Sequence, residues 1–123
     1  MAQPLIVCTN LSRSYNLDDG IVTALHPTSL KINAGDFVAI TGQSGSGKST
    51  LMHLLGCLDS PTSGTYVLHG INVSHYSPGQ LALIRNQHIG FIFQRFNLLP
   101  TLTAFENIAL PLRYAGVAAG RIT

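Results

Sequence analysis

Residues Gly42 to Thr50 read GQSGSGKST and satisfy G-x-x-x-x-G-K-[ST] in full. Glycines at 42, 45 and 47 permit a turn whose backbone N–H groups, those of Ser44 and Ser46 included, point inward. There they can receive phosphate oxygens at the positive end of a following helix. Lys48, at the helix entrance, brings an ammonium within reach of β- and γ-phosphates. The Ser49 hydroxyl suits the octahedral oxygen shell of Mg²⁺, and Thr50 adds a hydrogen bond on the α-phosphate side. At average residue usage the four fixed positions coincide by chance in roughly one chain per hundred of this size or fewer.

Such a loop requires a strand before it and a helix after it. The apolar run Phe37 to Ile40 predicts the strand. Leu51, Leu54, Leu55 and Leu58, at i, i+3, i+4 and i+7, predict one buried helical face that stops at Asp59-Ser60-Pro61. Upstream, Leu5–Cys8, Ile21–Leu25 and Ser29–Ile32 read as short antiparallel strands, separated by Asn16–Gly20 and by His26-Pro27. Downstream, Ser63-Gly64 leads into a hairpin-like pair, Thr65–His69 and Ile71–Val73, split at Gly70. Ser77-Pro78-Gly79-Gln80 is a capping box with proline at the first helical position, and predicts a helix to about Asn86. Ile89 to Phe93 reads as a strand buried on both faces of a parallel sheet, with polar Gln94 at its carboxyl end on the edge that the phosphate loop occupies. Thr103 to Glu106 is a second capping box, opening a helix that Pro111 interrupts.

At 123 residues, the chain accommodates one small domain, short for a phosphate-loop enzyme built of several βα units. With 46% hydrophobic and 10% charged residues, its surface is expected to need cover from another part or partner. No run of eighteen apolar residues occurs and the start lacks a signal peptide's features, so a cytoplasmic location is expected. Cys8 and Cys57 lack metal-ligand spacing and read as buried free thiols. Net charge is +2 with the basic residues spread out, which gives no footprint for nucleic acid.

Three passages, ITGQSGSGKSTLMHLLGCLDSPTSGTY, IGFIFQRFNLLPTLTAFENIALPL and the early RSY, together resemble the ATP-binding domain of ABC transporters. Within that family, the likeness is to the macrolide-export and lipoprotein-release branch. The resemblance implies an α/β fold with a P-loop NTPase core of ABC type and an amino-terminal antiparallel β subdomain. It divides the chain into an antiparallel region (1–35), a phosphate-loop core up to the Q-loop (36–94) and the start of a helical subdomain (95–123). Carried over residue by residue, it makes Tyr15 the aromatic that stacks on adenine, with Val22 packing nearby. Gln94 becomes the Q-loop glutamine that contacts Mg²⁺ and the attacking water, and Phe96–Glu106 the place where a transmembrane permease docks. ATP and Mg²⁺ are the implied cofactors. The implied partners are the permease, at the inner face of the cell membrane, and a second ATP-binding subunit arranged head to tail.

Hydrolysis needs a metal-binding aspartate and a carboxylate that positions water. Glu106 is the only glutamate and its capping box explains it. Asp59 follows the apolar stretch LLGCL, but that stretch belongs to the helix behind the loop and faces away from the ligand. Ser77-Pro78-Gly79-Gln80 precedes Gln94, whereas the family's LSGGQ signature follows the Q-loop. His26, His53, His69, His75 and His88 read as scattered core or surface residues. The expectation is therefore the amino-terminal half of such a domain, which binds nucleotide weakly, turns over little or none, and is prone to aggregate or remain molten. The alternative is a stand-alone, non-catalytic nucleotide-binding or regulatory module. A small kinase or GTPase is disfavoured by the missing carboxylates and by the lack of an Asn-Lys-x-Asp motif.

Overall fold

Asp18 and Asp19 make the turn of a long antiparallel hairpin between β1 (Ile6–Leu17) and β2 (Gly20–Ile32). The computed structural model describes residues 3–122. The strands expected at Ile21–Leu25 and Ser29–Ile32 are thus one. His26-Pro27 does not break β2 because the register shifts there, between the pairs Leu11–Thr28 and Arg13–Leu25. A bulge demands no ladder donor of the proline. On the other side of β1 lies β3 (Ser63–Leu68), followed by the short β4 (Ile71–Asn72), giving the antiparallel order β2-β1-β3-β4. His69 and Gly70, with φ of 50° and 77°, form the turn between β3 and β4, where right-twisted strands favour two successive positive φ values.

Helix α1 (Lys48–Leu55) lays Leu51 and Leu54 against the sheet, in one core with Cys8, Leu11, Leu25, Tyr66 and Leu68. Full burial of such leucines stabilises by about 1.5–3 kcal/mol each. The helix ends earlier than its apolar spacing predicts. Gly56 caps it and Cys57 turns left-handed (φ 54°), so Leu58 comes out exposed. The Tyr66 hydroxyl donates to the Leu55 carbonyl (2.7 Å) and Arg85 to that of Cys57 (2.5 Å), which satisfies acceptors freed at this end. Both cysteines are buried free thiols.

Both capping boxes form. They open α2 (Pro78–His88), which adds Leu81 and Ile84 to the core, and α3 (Ala104–Tyr114). Pro111 lies inside α3 without interrupting it. Its own carbonyl accepts from the Ala115 N–H and from Asn86 Nδ2, each at 3.0 Å, and the latter bond ties α3 to α2.

Two expected strands do not form. Phe37–Ile40 and Ile89–Phe93 run without ladder partners among the described residues, and Phe37 and Ile92 are fully exposed. Apolarity sets where a strand would be buried, but a ladder needs a neighbour on at least one edge, and neither run has one. Only parts of them pack: Ile40 and Ile89 rest against the core, while the Phe91 and Phe93 rings stack on each other at 5.3 Å.

Candidate functional site

The first bond within α1 runs from the Leu51 N–H to the Gly47 carbonyl (2.9 Å). The N–H groups of Lys48, Ser49 and Thr50 therefore precede any helical partner and are free for an anion. Gly45 and Gly47 take φ of 79° and 97°, as the inward turn requires. A Cβ on Gly47 would come 2.8 Å from the Ala24 carbonyl, and one on Gly42 would come 2.7 Å from Ser46 Oγ. The loop is thus closed down around itself and against β2. Lys48 Nζ donates to the carbonyls of Gly42 and Gln43, both at 2.6 Å, which holds the ammonium across the mouth of the loop.

Ser44, Gly45, Gly47, Lys48, Ser49 and Thr50 line an open cleft of about 510 Å³, together with Ala24. Sequence reasoning missed Ala24. It is the extra residue where the register shifts between Arg13–Leu25 and Ser14–Thr23, and nothing in its side chain announces that. A second cavity of about 600 Å³ shares Lys48 and Ser49 with the first and adds Gln94, backed by Val38, Ile40, Met52 and residues 91–93. The run that forms no strand therefore still delivers Gln94 beside the loop.

Tyr15 and Val22 line neither cavity. They are paired across the β1–β2 hairpin, both substantially exposed. Asp59 meets Tyr15 rather than simply facing away: the Tyr15 hydroxyl donates to Asp59 Oδ2 (3.1 Å), and Arg13 stacks on the ring with its guanidinium carbon 4.5 Å from the centroid. Arg13 Nε approaches the same Oδ2 to 2.9 Å as an ion pair, its N–H out of line for a hydrogen bond. The Tyr15 oxygen chiefly, against some desolvation and aided by the charge of Asp59, raises the guanidinium pKa further above its ordinary value.

A glycine-closed loop at a helix amino terminus, under an antiparallel sheet, defines a protein of the phosphate-loop α/β class. The family model for ABC transporters matches residues 25–122, and the chain belongs to that family, with the fold of its ATP-binding domain. It is 54% identical over 118 residues to the macrolide export ATP-binding/permease protein MacB of Hyphomonas neptunium, covering 96% of this chain and 18% of that protein. It is 48% identical to the uncharacterized ABC transporter ATP-binding protein YknY of Bacillus subtilis, covering 92% of this chain and 49% of the relative. Among solved structures it is similar to the dimeric bacterial ABC transporter cassette MJ0796, with a TM-score of 0.83 at 44% identity over 89% of this chain and 47% of that one. The same cassette in a post-hydrolysis state bound to ADP and Pi gives a TM-score of 0.84 at 42% identity, over 94% of this chain and 49% of that one. The chain thus spans about half of these cassettes and less than a fifth of MacB. Among the described residues no helix is long and apolar enough to cross a membrane.

Proposed function

We propose that this chain forms the ATP-binding half-site of an ABC transporter ATPase that powers export or lipoprotein release through a membrane permease. The observation that carries the reading is that Lys48, Ser49 and Gln94 line one cavity, and that Lys48 and Ser49 also line the cleft at the phosphate loop. The N–H groups of Lys48, Ser49 and Thr50, with those of the loop glycines and Ser44 and the hydroxyls of Ser46 and Thr50, cradle the phosphates. The Ser46 N–H donates to the Gln43 carbonyl (3.2 Å) and must exchange that bond to take part. Lys48 exchanges its loop carbonyls for β- and γ-phosphate oxygens. Tyr15, beside Val22, stacks on adenine.

The donor set fits Mg²⁺ as a partner of phosphate. Ser49 Oγ and the Gln94 amide oxygen are hard neutral ligands, and the described residues hold no group of three His, Cys, Asp or Glu able to bind a metal by themselves. When bound with the nucleotide, Mg²⁺ neutralises charge across the phosphate oxygens. No carboxylate lines either cavity, so the residues present bind and orient rather than activate water. The similarity to an ATP-binding/permease protein and to a dimeric cassette supports a permease and a second ATP-binding subunit as partners, on the inner face of the membrane. Exposed Phe96, Leu98 and Leu99 give the permease an apolar surface in the Phe96–Glu106 segment.

Titration calorimetry of the purified chain with MgATP, with turnover assayed on the same sample, tests the reading. Binding without turnover is expected, and Lys48→Ala should abolish the binding. Unchanged affinity in that variant would remove the phosphate-loop assignment.

A further inference from the structure

Asp59 lies just past the end of α1, the helix whose first turn carries the phosphate loop, and its carboxylate is fixed from several sides. Oδ1 accepts from the Ser60 N–H (2.8 Å), while Oδ2 meets the Tyr15 hydroxyl (3.1 Å) and Arg13 Nε (2.9 Å). The turn that carries Asp59 is itself fastened to β1 around Tyr15. The Thr62 N–H donates to the Ser12 carbonyl (2.8 Å), Thr62 Oγ1 accepts from the Ser14 N–H (2.9 Å) and donates to the Ser14 carbonyl (3.1 Å), and the hydroxyls of Ser12 and Ser63 bond at 2.6 Å. Arg13 covers one face of the Tyr15 ring, yet Tyr15 remains 40% exposed. An exposed tyrosine ordinarily samples several rotamers, and ordering such a side chain weakens whatever it binds.

From this geometry we infer that Asp59 and Arg13 are positioning residues that lock the Tyr15 ring in place before nucleotide arrives, so that a purine base stacks on the face opposite Arg13. The inference rests on the nucleotide reading above and assigns a role to residues which that reading leaves unused. The two arms act differently: Asp59 fixes the ring's tilt through the hydroxyl, and Arg13 closes the far face and leaves a single stacking surface. A cation on one face of an aromatic ring is itself attracted to it, which keeps the arrangement closed.

The test compares MgATP with inorganic tripolyphosphate, which engages the loop but carries no base. Asp59→Ala and Tyr15→Phe should each weaken MgATP roughly two- to tenfold, the cost of ordering one side chain on binding. The double variant should lose no more than the weaker single. Tripolyphosphate affinity should not change in any of them. Tyr15→Ala should weaken MgATP roughly five- to 150-fold, the contribution of a stacked base. A readout independent of nucleotide uses 3-fluorotyrosine: the Tyr15 resonance, assigned with Tyr15→Phe, should report a single ring orientation that becomes averaged in Asp59→Ala. Wild-type MgATP affinity in both Asp59→Ala and Tyr15→Phe, parallel loss of tripolyphosphate, or an unaltered fluorine signal in Asp59→Ala would each overturn the inference while leaving the phosphate site intact. Absence of binding of both ligands to the wild-type chain would instead overturn the nucleotide reading and this inference with it.

Discussion

Cys8, Cys57 and Tyr66 place three ionisable groups in one apolar core, and burial opposes the charged form of each. It pushes the Cys8 thiol up from 9.0 to about 11 and raises Cys57 as well, the latter against the charge of Arg85. Tyr66 is raised by burial first and then by the charges that the two thiols would carry. As pH climbs from 9.0 towards 11, an unfolded chain releases the Cys8 proton while the folded chain keeps it. The unfolded state then binds fewer protons, so stability falls with rising pH. Urea unfolding followed from pH 8 to pH 11 should show this decline, and Cys8→Ala should flatten part of it. A midpoint that holds constant across the window would mean the thiol is not buried as a neutral group.

The helices owe their positions to short-range chemistry. Ser77 Oγ accepts from the Gln80 N–H (3.3 Å), and Gln80 Oε1 accepts from the Ser77 N–H (2.8 Å). Loss of such a cap costs about 1 kcal/mol, so Ser77→Ala should lower the urea midpoint without altering the slope of the transition. Equal midpoints for the two proteins would show that α2 is held by Leu81 and Ile84 alone. Both capping boxes, and the phosphate loop itself, were legible in the sequence because each is written in residue types three to eight positions apart. The hairpin of β1 and β2 was legible only in pieces, since nothing local tells that Pro27 falls at a register shift. Phe37–Ile40 and Ile89–Phe93 were misread for a related reason: an apolar run records a preference for burial, whereas a ladder depends on a neighbour that the run does not specify. The Tyr15–Asp59 bond spans 44 positions, beyond the reach of any spacing rule, so the sequence carries no sign of it.

Over the whole molecule, many large apolar side chains stay in water. Phe37, Ile92, Phe96, Ile108 and Tyr114 are among the most exposed, and a groove of about 930 Å³ between α2, α3 and residues 89–93 is walled by Leu83, Ile89, Phe91, Phe93 and Leu110. With charged residues at only 10% of the chain, little repulsion opposes contact between copies. Apolar area on this scale in water promotes association. The chain on its own should therefore self-associate as concentration rises and bind a hydrophobic dye. Phe37→Glu and Ile92→Lys offer a sharper form of the prediction: both side chains are fully exposed, so charging them should raise the monomer fraction in sedimentation without loss of helical signal. Absence of dye binding together with a concentration-independent monomer would contradict the exposed apolar area, and unchanged sedimentation in both variants would place the association elsewhere, with the groove beside α3 as the next surface to charge.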